Sequence, residues 1–299
     1  MNNNSPIPDS QVFLPEMKVA GISLHIRRFD QIHPEAGGNK LFKLKYWVES
    51  LIAGDLILSF GGAYSNHLLA LAAIGKERGF RTIGIIRGER PVFGNAWLNR
   101  MEELGMQLEF ISREEYKLKE LDSFQSDLRK RYQPSLIIPE GGAGLKGVSG
   151  AAEMVKLDEP YDWIVLPAGT GTTVAGISQR LQQSPCRILC IQVLKGRNII
   201  QNELLRTTGI SIEKRVNVFI RDEFHDGGYG KYSIELGFFH NRFFNQTGIQ
   251  LDRVYGIKAM KGLITLALEG FFKKGARVLY LHTGGNGPVN FKTNQTPFD

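Results

Sequence analysis

Apolar residues fall into two kinds of run along this chain. Short runs rich in Val, Ile and Leu, bounded by turn-forming residues, read as strands at Leu56 to Phe60, Thr82 to Arg87, Gln107 to Ile111, Leu136 to Pro139, Trp163 to Pro167, Arg187 to Val193 and Val278 to His282. Longer amphipathic stretches read as helices at Leu41 to Ala53, Asn66 to Arg78, Asn95 to Leu104, Glu114 to Tyr132, Gly147 to Val155, Thr173 to Gln182 and Gly256 to Lys274. From about residue 41 the two kinds alternate, which is the pattern of βα units around largely parallel sheets. Both ends, Met1 to Gln11 and Phe291 to Asp299, carry Asn and Pro without periodic apolar residues and read as loose.

With 299 residues, 42% of them hydrophobic and 22% charged, the chain has the material for a proper core. The formal charge of +7 raises the question of nucleic acid, but the basic residues are interleaved with acids, as in Lys76-Glu77-Arg78 and Arg113-Glu114-Glu115. That is the pattern of solvated helix faces, so no nucleic-acid partner is expected. No stretch has the make-up of a signal peptide or of a membrane span, so a cytoplasmic location without a membrane partner is expected. Cys186 and Cys190 are spaced to share one face of a buried strand, too far apart along it to pair, and are expected to be core residues. No metal-ligand set is expected.

Ligands of open parallel sheets bind where strands end and helices begin, and three such junctions carry candidate chemistry. In Gly37-Gly38-Asn39-Lys40, paired glycines precede a lysine that opens a helix. A partly desolvated lysine there has a lowered pKa and an amine ready to condense with an aldehyde, although this stretch alone reads rather as Lys40, Lys43 and Lys45 decorating a solvent-facing helix. In Gly61-Gly62-Ala63-Tyr64-Ser65-Asn66-His67, a buried strand turns into the cap of an apolar helix. The turn suits a carboxylate, or is an ordinary N-cap that needs no ligand. In Gly169-Thr170-Gly171-Thr172-Thr173, successive N–H groups and three hydroxyls converge as a phosphate monoester would require. It is neither a Walker loop nor a dinucleotide fingerprint, because Val174 stands where the third glycine would be, so a smaller phosphorylated cofactor is indicated.

Taken in order, Gly-Gly-Asn-Lys-x-x-Lys-Leu-x-Tyr at 37–46, Gly-Gly-x-x-Ser-Asn-His at 61–67 and Gly-Thr-Gly-Thr-Thr at 169–173 resemble the family of D-cysteine desulfhydrases and 1-aminocyclopropane-1-carboxylate deaminases. The likeness extends through Pro139-Glu140-Gly141-Gly142, Gly228-Tyr229-Gly230, the stretch from Leu251 to Met260 and His282-Thr283-Gly284-Gly285. It implies the fold type II, tryptophan synthase beta-like architecture of two three-layer α/β domains with mostly parallel sheets. Residues 1–42 and 145–299 would form the large, cofactor-binding domain and residues 43–144 the small one. It implies pyridoxal 5'-phosphate as cofactor, a small amino acid as substrate and a homodimer as the assembly. Lys40 is then the Schiff-base lysine, and Gly169, Thr170, Gly171, Thr172 and Thr173 hold the phosphate. Asn66 meets the ring's phenolic oxygen and Thr283 its pyridine nitrogen. Ser65, Asn66 and His67 receive the substrate carboxylate, while Tyr229 and Tyr255 stand near the reacting carbons. From the residues alone, without the resemblance, each tyrosine reads rather as a packed aromatic.

Two departures bear on the substrate. Sequences resembling the deaminases tend to have Glu after the second tyrosine and Leu before the paired glycines, where this chain has Gly256 and Thr283. A neutral hydroxyl facing the ring nitrogen makes a weaker electron sink, which suits loss of a good leaving group such as thiolate better than the opening of a cyclopropane. The expectation is therefore β-elimination from an amino acid such as D-cysteine, with cyclopropane deamination as the alternative and a non-catalytic cofactor or amino-acid binder as an alternative of another class. Phe42 and Lys45 replace the usual Arg and Glu of the lysine motif, and Asp226-Gly227 stands where a Gly-Pro approach to the tyrosine is usual.

Overall fold

Strands that pack on both faces need apolar residues at every position, and the runs from 56 to 61 and from 163 to 168 are buried throughout in a computed structural model of the chain. The structure describes residues 7–215, 217–285 and 287. Ten strands lie among them: β1 (Asp9–Val12), β2 (Ser23–Arg28), β3 (Leu56–Gly61), β4 (Arg81–Arg87), β5 (Met106–Ile111), β6 (Leu136–Ile138), β7 (Trp163–Ala168), β8 (Arg187–Gln192), β9 (Val218–Arg221) and β10 (Arg277–His282). Every strand read from the sequence is present. The fold class is α/β with mostly parallel sheets, as the resemblance implied.

The described residues cluster into two compact units. The first, residues 7–33, 37–42 and 148–285, is built on a six-stranded sheet in the order β1-β2-β10-β7-β8-β9. All its neighbours pair in parallel except β1 with β2. One face packs under the helix Gly256–Leu268, with Ile257, Met260 and Leu263 fully buried; the other packs under the helix Thr172–Arg180 with Val174 and Ile177. The second unit, residues 34–36, 43–147 and 287, holds a four-stranded parallel sheet in the order β5-β4-β3-β6. Its helix Asn66–Arg78 begins at the Ser65 cap and stops at left-handed Gly79.

Several expectations need correction. Asp9–Val12 is a strand, not part of a loose end, because it pairs with β2 and because Asp9 takes two hydrogen bonds from the buried Arg27 guanidinium. Of the stretches read as loose, residues 1–6 and 291–299 lie outside the described residues. The helix expected over 114–132 is two, Arg113–Lys117 and Asp122–Tyr132, interrupted where Leu121 turns to extended backbone and Lys119 reaches Glu140 at 3.5 Å. The first helix runs Asn39–Val48, ending before Ala53. The last ends at Leu268 rather than Lys274, since Gly270 is left-handed and Phe271 and Phe272 turn to pack on Trp163. The helices Pro15–Ala20, Ile199–Thr208 and Ile234–Thr247 and the strands β1, β2 and β9 were not foreseen. Cys186 and Cys190 are buried and free.

Candidate active site

Because β2, β10, β7 and β8 run parallel, their C-terminal ends share one edge of the first unit's sheet. That edge carries the lysine loop after β2, Thr283 after β10 and the glycine turn after β7. Topology alone thus gathers three sequence-distant segments.

After β7 the chain passes through Gly169 and left-handed Gly171 into the helix Thr172–Arg180. A Cβ at Gly169 would come within 2.9 Å of the Tyr255 ring, so only glycine lets that ring lie against the turn. Gly171, at the N-cap, leaves the helix start without a side-chain cap. The Thr172 hydroxyl is fully buried there and has no hydrogen-bond partner among the described residues. An unsatisfied buried hydroxyl costs free energy unless a ligand completes it, and the positive end of a helix selects an anion.

Lys40 is the second residue of its helix. The Gly38 N–H is bonded to the Phe29 carbonyl and the Asn39 N–H to the Thr283 carbonyl, and a Cβ at Gly38 would overlap that Thr283 oxygen. The lysine loop and residue 283 are therefore in backbone contact. The Lys40 side chain is half-buried, but its nitrogen lies deep enough that burial lowers its pKa to about 8, against an opposing pull from Asp252. Its Nζ donates to Asn39 Oδ1 at 2.8 Å, and Asn39 Nδ2 donates to Thr173 Oγ1 at 3.0 Å. One amide side chain thus bridges the amine and the uncapped helix. Phe42, unusual for the motif, packs edge-on against Phe29 at 5.3 Å and belongs to the core rather than to the site.

Tyr255 and Tyr229 meet edge-to-face, 6.1 Å between ring centres, and Tyr229 is half exposed. Asp252 is buried, and its carboxylate accepts N–H bonds from Val254 at 3.1 Å, Tyr255 at 2.6 Å and Gly256 at 2.7 Å, fixing the turn that presents Tyr255. Burial holds the Asp252 carboxyl above its ordinary range against those donors. A Cβ at Gly256 would sit 2.6 Å from Asp252 Oδ2, so this departure from the family lets the carboxylate close on the helix start. His282 Nδ1 accepts the Gly284 N–H, which leaves Nε2 to donate to the Gln250 carbonyl at 2.8 Å. The ring so braces the turn that carries Thr283.

Ser65, Asn66 and His67 come together in the second unit. Ser65 Oγ accepts the Leu68 N–H at 3.2 Å as N-cap and keeps its own proton to donate. Asn66 Oδ1 accepts from Trp97 Nε1 at 3.0 Å. His67 is buried; because Ser59 Oγ donates to the Ile138 carbonyl, His67 Nε2 must carry the proton it shares with Ser59 at 2.8 Å. Its Nε2 is thus turned toward β3.

Residues 12–284 match the model of a family described as pyridoxal-phosphate dependent enzyme. The chain belongs to that family. This pyridoxal-phosphate dependent enzyme is 24% identical to a D-cysteine desulfhydrase of Klebsiella pneumoniae over 93% of its own length and 92% of the relative's. It is 27% identical to a 1-aminocyclopropane-1-carboxylate deaminase of Rhizobium rhizogenes over 85% and 84% of the two chains. Among solved structures it resembles a 1-aminocyclopropane-1-carboxylate deaminase homologue with a TM-score of 0.75 and 26% identity, covering 95% of this chain and 90% of that one. The cofactor is pyridoxal phosphate, and the first unit fits it: a low-pKa amine for the aldehyde and, one amide away, an uncapped helix start whose buried hydroxyl lacks a partner. Asn39, Asp252 and His282 had no role in the sequence reading. Asn39 lay inside a quoted motif, but its bond to a residue 134 positions away has no local signature.

Proposed function

We propose that this enzyme carries out β-elimination on D-cysteine or a close analogue, giving pyruvate, ammonia and sulfide. The observation that carries the amino-acid chemistry is the bridge from Lys40 through Asn39 to Thr173. When bound, pyridoxal phosphate supplies an electron sink for charge developing at the substrate's α-carbon. Lys40 would hold the cofactor through its amine, and an amine of pKa about 8 is well matched to taking the substrate's α-proton. Gly169 to Thr173 hold the phosphate, with the Thr172 hydroxyl and the first amides of the helix as donors. Asn66 serves the phenolic oxygen. Ser65 Oγ, with the backbone N–H groups of Asn66 and His67 at the helix start, receives the substrate carboxylate, the His67 ring being committed to Ser59, and Tyr229 and Tyr255 guide the leaving group. The neutral Thr283 and the absence of a carboxylate at Gly256 favour elimination of a thiolate over ring opening. A cytoplasmic homodimer is part of the same reading.

Cyclopropane deamination is the second reading, supported by relatives of that name at equal or higher identity. Assaying sulfide and pyruvate from D-cysteine beside 2-oxobutyrate from 1-aminocyclopropane-1-carboxylate separates the two. Lys40→Ala is expected to abolish both the visible absorbance of the lysine-bound cofactor and all turnover. A Lys40→Ala protein with normal turnover would refute the assignment, and a yellow wild type that releases no ammonia from any small amino acid would leave only a binder.

A further inference from the structure

Lys258 is a lysine where electrostatics disfavours one. It occupies the first turn of the helix Gly256–Leu268, at the positive end of the helix dipole, and is 1% exposed. Burial lowers its pKa, while Asp226 and Asp252 pull it back toward the charged form. Its Nζ donates to two backbone carbonyls, His225 at 3.0 Å and Gly228 at 2.7 Å. Those carbonyls also accept within their own turn, His225 from the Gly228 N–H at 2.9 Å and Gly228 from the Lys231 N–H at 3.2 Å, so the ammonium is a further donor to a turn in which Asp226, Gly227, Gly228 and Gly230 all have positive φ, at 48°, 87°, 110° and 69°. Asp226 anchors the far side of the turn, accepting from the Ser233 N–H at 2.8 Å and the Ser233 hydroxyl at 2.7 Å. Tyr229 follows immediately on the clamped Gly228 and lies edge-on to Tyr255, three residues before Lys258.

We propose that Lys258 is the positioning residue for Tyr229, a buried ammonium that clamps the 225–230 turn and so fixes the distance between the two tyrosines; its catalytic consequence rests on the function proposed above. Replacing it leaves Tyr229 in the chain but able to leave the Tyr255 edge; it also removes a positive charge that Asp252 feels, a change that Lys258→Gln shares and that Tyr229→Phe does not.

The test uses the holoenzyme and two separate readouts. In hydrogen exchange, Lys258→Met is expected to speed exchange of the amides of residues 226–231 while those of the helix Thr172–Arg180 stay protected. With D-cysteine, kcat is expected to fall about 10- to 100-fold, the cost of a misplaced group, with the cofactor's absorbance retained. Tyr229→Phe should cause a similar fall, and the double variant should be no worse than either single one, because both remove the same contribution. Lys258→Gln, which keeps two N–H donors on a shorter arm, should lie between wild type and Lys258→Met, and it supplies the reading if the Met variant does not fold. Unchanged exchange in residues 226–231 overturns the clamp whatever the enzyme's substrate. Faster exchange with losses that multiply in the double variant, or no loss in Tyr229→Phe, overturns the positioning role. A wild type inactive on D-cysteine and on the cyclopropane amino acid overturns the proposed function, and the exchange experiment still decides the clamp.

Discussion

Two junctions in this protein are written in nearly the same letters: a fully buried strand, a glycine turn and a helix that opens on hydroxyl or amide residues. At the end of β3 the junction closes on itself, for Ser65 folds back over Gly61, caps the helix through Leu68 N–H, and leaves its neighbours bonded to Trp97 and Ser59. At the end of β7 the junction stays open, since Gly171 offers no cap and Thr172 buries a hydroxyl without a partner among the described residues. The difference is one of satisfaction, not of composition. A closed junction is stable by itself and can lend a donor; an open one pays a desolvation cost that only a ligand relieves.

The amine bridged to the open junction gives the largest expected effect. In the cofactor-free protein Lys40 titrates near 8 instead of 10.5, so at pH 7 its neutral fraction is about 300-fold that of an ordinary lysine. Labelling of Lys40 by an amine-acylating reagent should therefore rise with pH to a midpoint near 8 and then level off. The sign for stability follows. The folded-state pKa is the lower one, so the unfolded chain binds more protons between about 8 and 10.5 and stability gains as pH rises through that window. Lys40→Met should remove that gain. A labelling midpoint near 10.5 would mean that the nitrogen is solvated and that the open junction has no amine prepared beside it.

Thr172→Val tests the open junction itself. It removes a buried hydroxyl that nothing among the described residues satisfies, so the cofactor-free form should be as stable as wild type or slightly more so. The Kd for pyridoxal phosphate should rise about 10- to 100-fold, the worth of a hydrogen bond to a charged group. Inorganic phosphate is expected to raise the Tm of the wild type with the logarithm of its concentration above Kd, and should lose most of that effect in the variant. If both affinities were untouched, the hydroxyl would not belong to the receptor and the contrast between the junctions would carry no chemistry.

What could be read before folding was whatever the chain encodes locally. Paired glycines before Lys40 and the Gly-Thr-Gly-Thr-Thr turn mark backbone paths that few sequences allow, and the strands through Leu58 and Val165 are buried at every position and apolar at all but Ser59. The cap at Ser65 was legible for the same reason. The partners that give these residues their chemistry were not legible, because Asn39 finds Thr173 and Lys258 finds Gly228 only after sheet and helix have formed. β2 was hidden by its polar His25, Arg27 and Arg28; Arg27 is paired with Asp9 and with Glu159, 132 residues away, and Arg28 with the nearby Asp30. The break at Leu121 lacked a glycine or proline to announce it; it follows from Lys119 turning toward Glu140.

The closed junction gives the smallest effect and the sharpest division of roles. Ser65→Ala removes an N-cap and should cost about 1 kcal/mol, or roughly 2–4 °C in Tm, while leaving the affinity for pyridoxal phosphate as it was. If Ser65 also lends its proton to the substrate carboxylate, the KM for D-cysteine should rise in the same variant. Cap and receptor then come apart in Ser65→Asp, because a carboxylate accepts the Leu68 N–H as well as serine does but repels a second carboxylate. Ser65→Asp is expected to recover most of the lost stability and to raise KM beyond the alanine variant. Should aspartate instead restore both, Ser65 would be a cap and no more, and the carboxylate would have to be received by amides or side chains other than this hydroxyl.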